Sequence, residues 1–192
     1  ACHAPHQAPR EYIDAYRGRF DQGWDEWRAA THQRQLDMGI LPPGTDLSER
    51  PEWIQAWATL TDDEKLAYSR LMEVYAGFLT HTDHHVGRLL DHLAETGDLD
   101  NTIVVVLSDN GASPEGGPNG AYNSIRWYNQ HPLTLESVLE NLDVLGSPEA
   151  HGHYPYGWAH AGNTPFQKWK RECHEGGVAD PLIVHWPAGI AD

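Results

Sequence analysis

A chain of 192 residues in which 28 Asp plus Glu face 13 Lys plus Arg carries a formal net charge of −15, the wrong sign for tracking a phosphate backbone, so nucleic acid is not an expected partner. The length suffices for one domain with a sizeable core. Two cysteines, Cys2 and Cys173, imply no disulfide framework, and no apolar run reaches the roughly 18 residues of a membrane span.

From Pro9 to Leu41, Tyr12, Tyr16, Phe20, Trp24 and Trp27 recur at three to four residues, a spacing that predicts one or two surface helices. Pro42-Pro43-Gly44 breaks this pattern, and Pro51 restarts the chain. Thr61-Asp62-Asp63-Glu64 is a capping-box signature: the Thr61 hydroxyl and the Glu64 carboxylate can each satisfy an orphan amide at a helix start. The helix that follows carries Leu71, Val74, Tyr75, Phe78, Leu79, Val86, Leu89, Leu90 and Leu93 on one stripe, and Gly97 offers its stop. His81 and His85 lie four apart on this helix, a spacing that lets two imidazoles meet one zinc. Without the general base of a metalloprotease motif between them, solvated or hydrogen-bonded histidines are the favoured reading.

Thr102 to Leu107 is an unbroken β-branched run, which predicts a strand buried on both faces. Pro181-Leu182-Ile183-Val184-His185-Trp186 predicts a second strand of the same sheet, so the expected class is α/β. Between them, residues 111–162 are rich in Gly, Pro, Asn, His and aromatics, with a short helix hinted at Leu133 to Leu145. A segment of this length and composition is expected to be a lid or substrate loop. Within it, His151 to His160 could stack on an aryl or sugar group or could equally be a packed loop. The chain starts at Ala1 without an initiator Met or a signal-peptide pattern, and Trp186 to Asp192 follow a strand without a helix or cap. Both ends are therefore expected to be cut.

Ligands of open α/β sheets collect beyond the carboxyl ends of strands, where Ser108-Asp109-Asn110-Gly111 stands. The carboxylate of Asp109 and the amide carbonyl of Asn110 are hard oxygen donors suited to calcium or magnesium. The same residue types also dominate simple turns. Lys170 precedes the second strand. It can hold one anionic oxygen and stabilise charge on a leaving oxygen, or it can belong to a solvated basic patch with Lys168 and Arg171.

Leu107-Ser108-Asp109-Asn110-Gly111-Ala112, then Asn163-Thr164-Pro165-Phe166 with Lys170 and His174-Glu175-Gly176-Gly177, then Pro181 to Pro187, closely resemble bacterial arylsulfatases of the sulfatase family. Upstream, His3-Ala4-Pro5-His6-Gln7-Ala8-Pro9 with Tyr16 to Asp21 resembles the segment around the family's sulfate-binding histidine, and Met72 to Ala76 with Asp83 to Leu89 resembles its long helix. Several motifs in one order over almost the whole chain are more specific than any one.

The resemblance implies an alkaline-phosphatase-like sandwich, with a mixed and mainly parallel sheet flanked by helices, and residues 1–192 as a middle-to-late part of the catalytic domain. It implies that Asp109 and Asn110 bind one calcium ion, and that His3 and Lys170 are catalytic and contact a small-molecule or glycan sulfate ester. It further implies a formylglycine nucleophile made from Cys in a Cys-x-Pro-x-Arg motif. Neither Cys2-His3-Ala4-Pro5 nor Cys173-His174-Glu175-Gly176 matches that motif, so the nucleophile is expected upstream and the chain alone is expected to be inactive. A second departure is Val178-Ala179-Asp180-Pro181, where the family often has a basic residue. Two other readings stand: a phosphatase or phosphodiesterase of the same superfamily, disfavoured because such sites usually need His ligands, and a non-catalytic anion-binding relic.

Overall fold

The longest element forms where its end signals are clearest. In a computed structural model describing residues 2–190, helix α3 runs Asp62–Thr96. The Thr61 hydroxyl accepts from the Glu64 amide, the Glu64 carboxylate accepts from the Thr61 amide, and Gly97 ends the helix at φ 78°. That left-handed angle costs a glycine little. Before α3 come α1, Arg10–Asp14, and α2, Gly23–Asp37. After it come strand β1, Val104–Leu107, three short helices, α4 Ile125–Tyr128, α5 Leu135–Leu139 and α6 Tyr156–Gly162, then α7 Glu175–Val178 and strand β2 Leu182–His185.

The core gathers where α2, the first half of α3 and α6 meet. Ala67, Tyr68, Leu71 and Val74 of α3 are buried beside Phe20, Trp24, Trp57 and Trp158. The aromatic rings meet edge to face: Trp24 and Trp57 at 4.8 Å and 80°, Phe20 and Trp158 at 5.4 Å and 80°, the geometry favoured by the ring quadrupole. The indole N–H groups of Trp24 and Trp158 are satisfied, Trp24 by the Gln55 carbonyl at 3.1 Å and Trp158 by the Tyr68 carbonyl at 3.0 Å. The two N-terminal helices are present, but Phe20 and Trp24 are core residues rather than surface ones.

Three expectations are corrected. First, β1 and β2 do share a sheet, but among the described residues they pair with each other only, and antiparallel, Leu107 opposite Leu182 and Val104 opposite His185. A parallel pair needs a crossover packed on the sheet face; here residues 108–181 return to the same end and enter β2 beside Pro181, whose carbonyl accepts from Ser108 N at 3.4 Å. The sheet seen in this chain is thus not mainly parallel.

Second, the ribbon is not buried: Val105 is 48% and Ile183 60% exposed, because among the described residues no element lies over either face. Third, the apolar stripe of α3 is buried only in its first half, while Leu79, Val86 and Leu89 face solvent. No helix of the described residues is long and apolar enough to cross a membrane.

Candidate functional site

The strap after β1 and the segment 163–177 meet beside the carboxyl end of the strand. The strap after the strand is held to the segment 163–177 by the main chain: Gly111 N donates to Gly177 O at 3.3 Å, Lys170 N to Ala112 O at 3.1 Å, and Ala112 N to the Asn163 side-chain oxygen at 2.8 Å. Gly111 matters here for space rather than for turning. A Cβ on it would collide with the Gly176 carbonyl oxygen, and one on Gly176 with the carbonyls of Gln167 and Lys168. The adjacent glycines Gly176 and Gly177 are both buried at this crossing.

Segment 163–177 is fixed from below by Arg28. Its buried guanidinium donates to the Ser48, Pro165 and Phe166 carbonyls and to the Ser48 hydroxyl. Burial lowers its pKa to about 10 against the opposing pull of Asp25, so it stays charged and its bonds stay charge-assisted.

His3 and Lys170, 167 residues apart, meet: Lys170 Nζ lies 3.2 Å from His3 Nε2. Ammonium can only donate, so His3 Nε2 accepts, and its proton sits on Nδ1, which donates to the Ala4 carbonyl at 3.0 Å. Asp109 and Asn110 stand at the end of β1, Asp109 exposed and Asn110 half-buried. Ser108 Oγ donates to the Asn110 carbonyl at 2.7 Å and Asn110 Nδ2 to the Gly111 carbonyl at 3.1 Å. These are bonds of a turn, yet they leave the Asn110 side-chain oxygen and the Asp109 carboxylate unused among the described residues. The turn and the donor pair therefore coexist.

Glu115, Ser113 and His153 complete the cluster; the sequence did not point to the first two, and offered His153 only as part of the stretch 151–160. The Glu115 carboxylate reaches Lys170 Nζ at 3.6 Å and His3 Nε2 at 3.7 Å, and accepts from Ser113 Oγ at 3.2 Å. Partial burial pushes the Glu115 carboxyl up, but Lys170, Ser113, His3 and His153 together hold it below the usual carboxylate range. Buried His153 is lowered to about 4, by desolvation first, with the Tyr154 carbonyl and Glu115 opposing and His3 and Lys170 adding to the fall.

His153 Nδ1 meets the Tyr154 carbonyl at 3.1 Å and Nε2 meets Ser113 Oγ at 3.1 Å. Neutral His153 and Ser113 bring two hydrogens to three contacts, so one contact goes unfilled until a third proton arrives. His6 packs on His153 with ring centroids 4.9 Å apart and is also held well below the ordinary histidine value, by burial first and then by the neighbouring histidines. Of the stretch 151–160, His153, Tyr154, Trp158 and His160 are buried, so it is packed into the molecule, its second half as the start of α6.

The donor chemistry at Asp109 and Asn110 fits a hard cation. Asp180 nearby has its carboxyl pushed up by partial burial and by the field of Asp109, a crowding of negative charge that a cation would relieve. Calcium takes six to eight oxygens, and no three His, Cys, Asp or Glu side chains converge among the described residues, so this chain supplies part of such a shell.

Comparison with known proteins places the sequence in a family. A family model described as Sulfatase matches residues 1–192. An uncharacterized sulfatase of Schizosaccharomyces pombe is 36% identical over 188 residues, covering 97% of this chain and 33% of the relative. The arylsulfatase of Klebsiella aerogenes is 29% identical over 188 residues, 97% of this chain and 39% of the relative. An arylsulfatase of Clostridium perfringens is 47% identical over 47 residues, 24% of this chain and 10% of the relative. The likeness is thus not confined to bacteria, and the chain spans between a third and two fifths of the length of the first two relatives. Matched from end to end by that family model and sharing an α/β make-up, this chain belongs to the sulfatase family.

Proposed function

We propose that the chain carries one half of the catalytic centre of a sulfuric ester hydrolase of the arylsulfatase type, within an alkaline-phosphatase-like sandwich. The observation that carries the reading is the meeting of His3 and Lys170, residues far apart in sequence, on a loop tied to the strap bearing Asp109 and Asn110. The uncovered faces of the β1–β2 ribbon support the larger sheet, since β-branched strands of this kind are stable when covered on both sides.

In the reaction, Lys170 exchanges the Glu115 carboxylate for a sulfate oxygen, an anion for an anion, and holds the ester as its charge shifts toward the leaving oxygen. His3, once protonated on Nε2, gives that proton to the departing alcohol or phenol. Glu115, 3.6 Å from Lys170 Nζ and 3.7 Å from His3 Nε2, holds the place that the substrate anion takes. A calcium ion held in part by Asp109 and Asn110 would neutralise sulfate oxygens as a Lewis acid. The nucleophile, a formylglycine in this reading, comes from polypeptide outside these 192 residues, and the segment 111–162 borders the substrate.

The test is the full-length protein with Lys170→Ala assayed on an aryl sulfate. Turnover should fall by roughly a hundredfold or more, as expected for losing a charge partner of the transition state; unchanged turnover would remove Lys170 from the site. Asp109→Ala should lower bound calcium together with activity, and full metal content in that variant would overturn the ligand assignment.

A further inference from the structure

On the solvent side of α3, His81 and His85 turn their rings toward one another, with centroids 4.6 Å apart and Nε2 to Nε2 only 3.0 Å. The protons can be placed by elimination. Arg88 Nη1 lies 3.1 Å from His85 Nδ1, and a guanidinium only donates, so Nδ1 is bare and His85 carries its hydrogen on Nε2. That hydrogen bridges to His81 Nε2, whose lone pair already points into the gap. Tyr12 packs on His81 with centroids 4.9 Å apart and closes one side, while His84 sits against His85 at 5.3 Å.

We propose that His81 and His85 form a two-imidazole site for a divalent transition-metal ion on the surface of α3, with Arg88 as the group the metal must displace. Two Nε2 atoms 3.0 Å apart and metal–nitrogen bonds of about 2.05 Å enclose an angle of about 94° at the metal. This is close to the right angle between neighbouring ligands of a tetragonal or octahedral ion and well below the tetrahedral value, so the pair suits nickel or copper better than zinc. Because no third His, Cys, Asp or Glu converges among the described residues, water fills the other positions.

Binding moves one proton and releases none. His85 gives up its Nε2 hydrogen and takes one on Nδ1, where Arg88 now donates, so the exposed guanidinium must swing aside. The site depends only on one turn of one helix and not on the sulfuric ester reading.

Nickel is the probe of choice, because Cys2 and Cys173 are both exposed thiols that copper would oxidise. Calorimetric titration of the chain with nickel should show a one-to-one event that the double variant His81→Gln/His85→Gln lacks. Each single variant should bind roughly a hundredfold more weakly, since one imidazole alone loses the chelate. Arg88→Ala should bind more tightly than the parent, and the ring signals of His81 and His85 should be the first broadened by the paramagnetic ion. His174→Gln, at an exposed histidine elsewhere, should bind as the parent does. Equal affinity in parent and double variant would overturn the site, zinc binding above nickel would overturn its geometry, and an Arg88→Ala variant no tighter than the parent would overturn the displacement.

Discussion

The aromatic core and the β1–β2 ribbon use side chains of similar hydrophobicity to opposite effect. Around Trp158, 1% exposed, every neighbour comes from another part of the same chain, so local order and burial arrive together. Along the ribbon Val105, Val106, Ile183 and Val184 are as apolar yet stand in solvent. Backbone pairing can therefore be complete where side-chain burial is absent, and a hydrophobic strand shows that it wants a cover without saying which polypeptide supplies it.

This contrast can be broken from either side. The largest effect belongs to Trp158→Ala, which removes a ring wedged among Phe20, Trp24 and Trp57 and should cost about 3–5 kcal/mol in urea unfolding. Acid should attack the same core through His153. Its folded pKa of about 4 lies below the ordinary 6.5, so between those values the unfolded chain holds more protons. Its contribution is complete above pH 6.5 and is lost as the pH falls to 4, a change of about 3 kcal/mol. A His153→Asn variant should show a correspondingly shallower loss over that window, and an unchanged slope would show that His153 titrates normally.

Gly111→Ala forces a methyl into the Gly176 carbonyl and should cost about 1–3 kcal/mol, with loss of the 111–177 crossing seen as faster amide exchange at Gly111 and Lys170. The smallest effect is expected on the ribbon. Ile183→Thr should change the stability of this chain by no more than about 0.5 kcal/mol while reducing its tendency to self-associate, which sedimentation would detect. A large destabilisation there would mean that the ribbon is covered in solution.

What the sequence revealed follows from how local each signal is. The boundaries of α3 were readable because Thr61, Glu64 and Gly97 act within one turn of the helix. The strands were readable as segments, but their antiparallel pairing depends on where residues 108–181 return, which no residue of either strand encodes. The burial of the ribbon and of the distal α3 stripe was read from an unbroken β-branched run and from helical spacing, and such patterns record which face is apolar, not whether this chain covers it. His3 and Lys170 were found through ordered motifs, and the structure brings them together. Glu115 and Ser113 carry no periodic or motif signal. They join the cluster only because a Gly- and Pro-rich loop folds back on Lys170, and His153 joins through Ser113.

The clamp made by Arg28 also sets an order of events in time. It joins α2 to the Pro165 and Phe166 carbonyls, 137 and 138 residues further along, and closing so long a loop is slow compared with winding a helix. On refolding, the ellipticity of α3 should recover first, and the loop that presents Lys170 should take its final place late, after the two distant stretches have found each other. Chemical competence would then lag behind secondary structure, and the delay between the two signals would time the arrival of a single guanidinium.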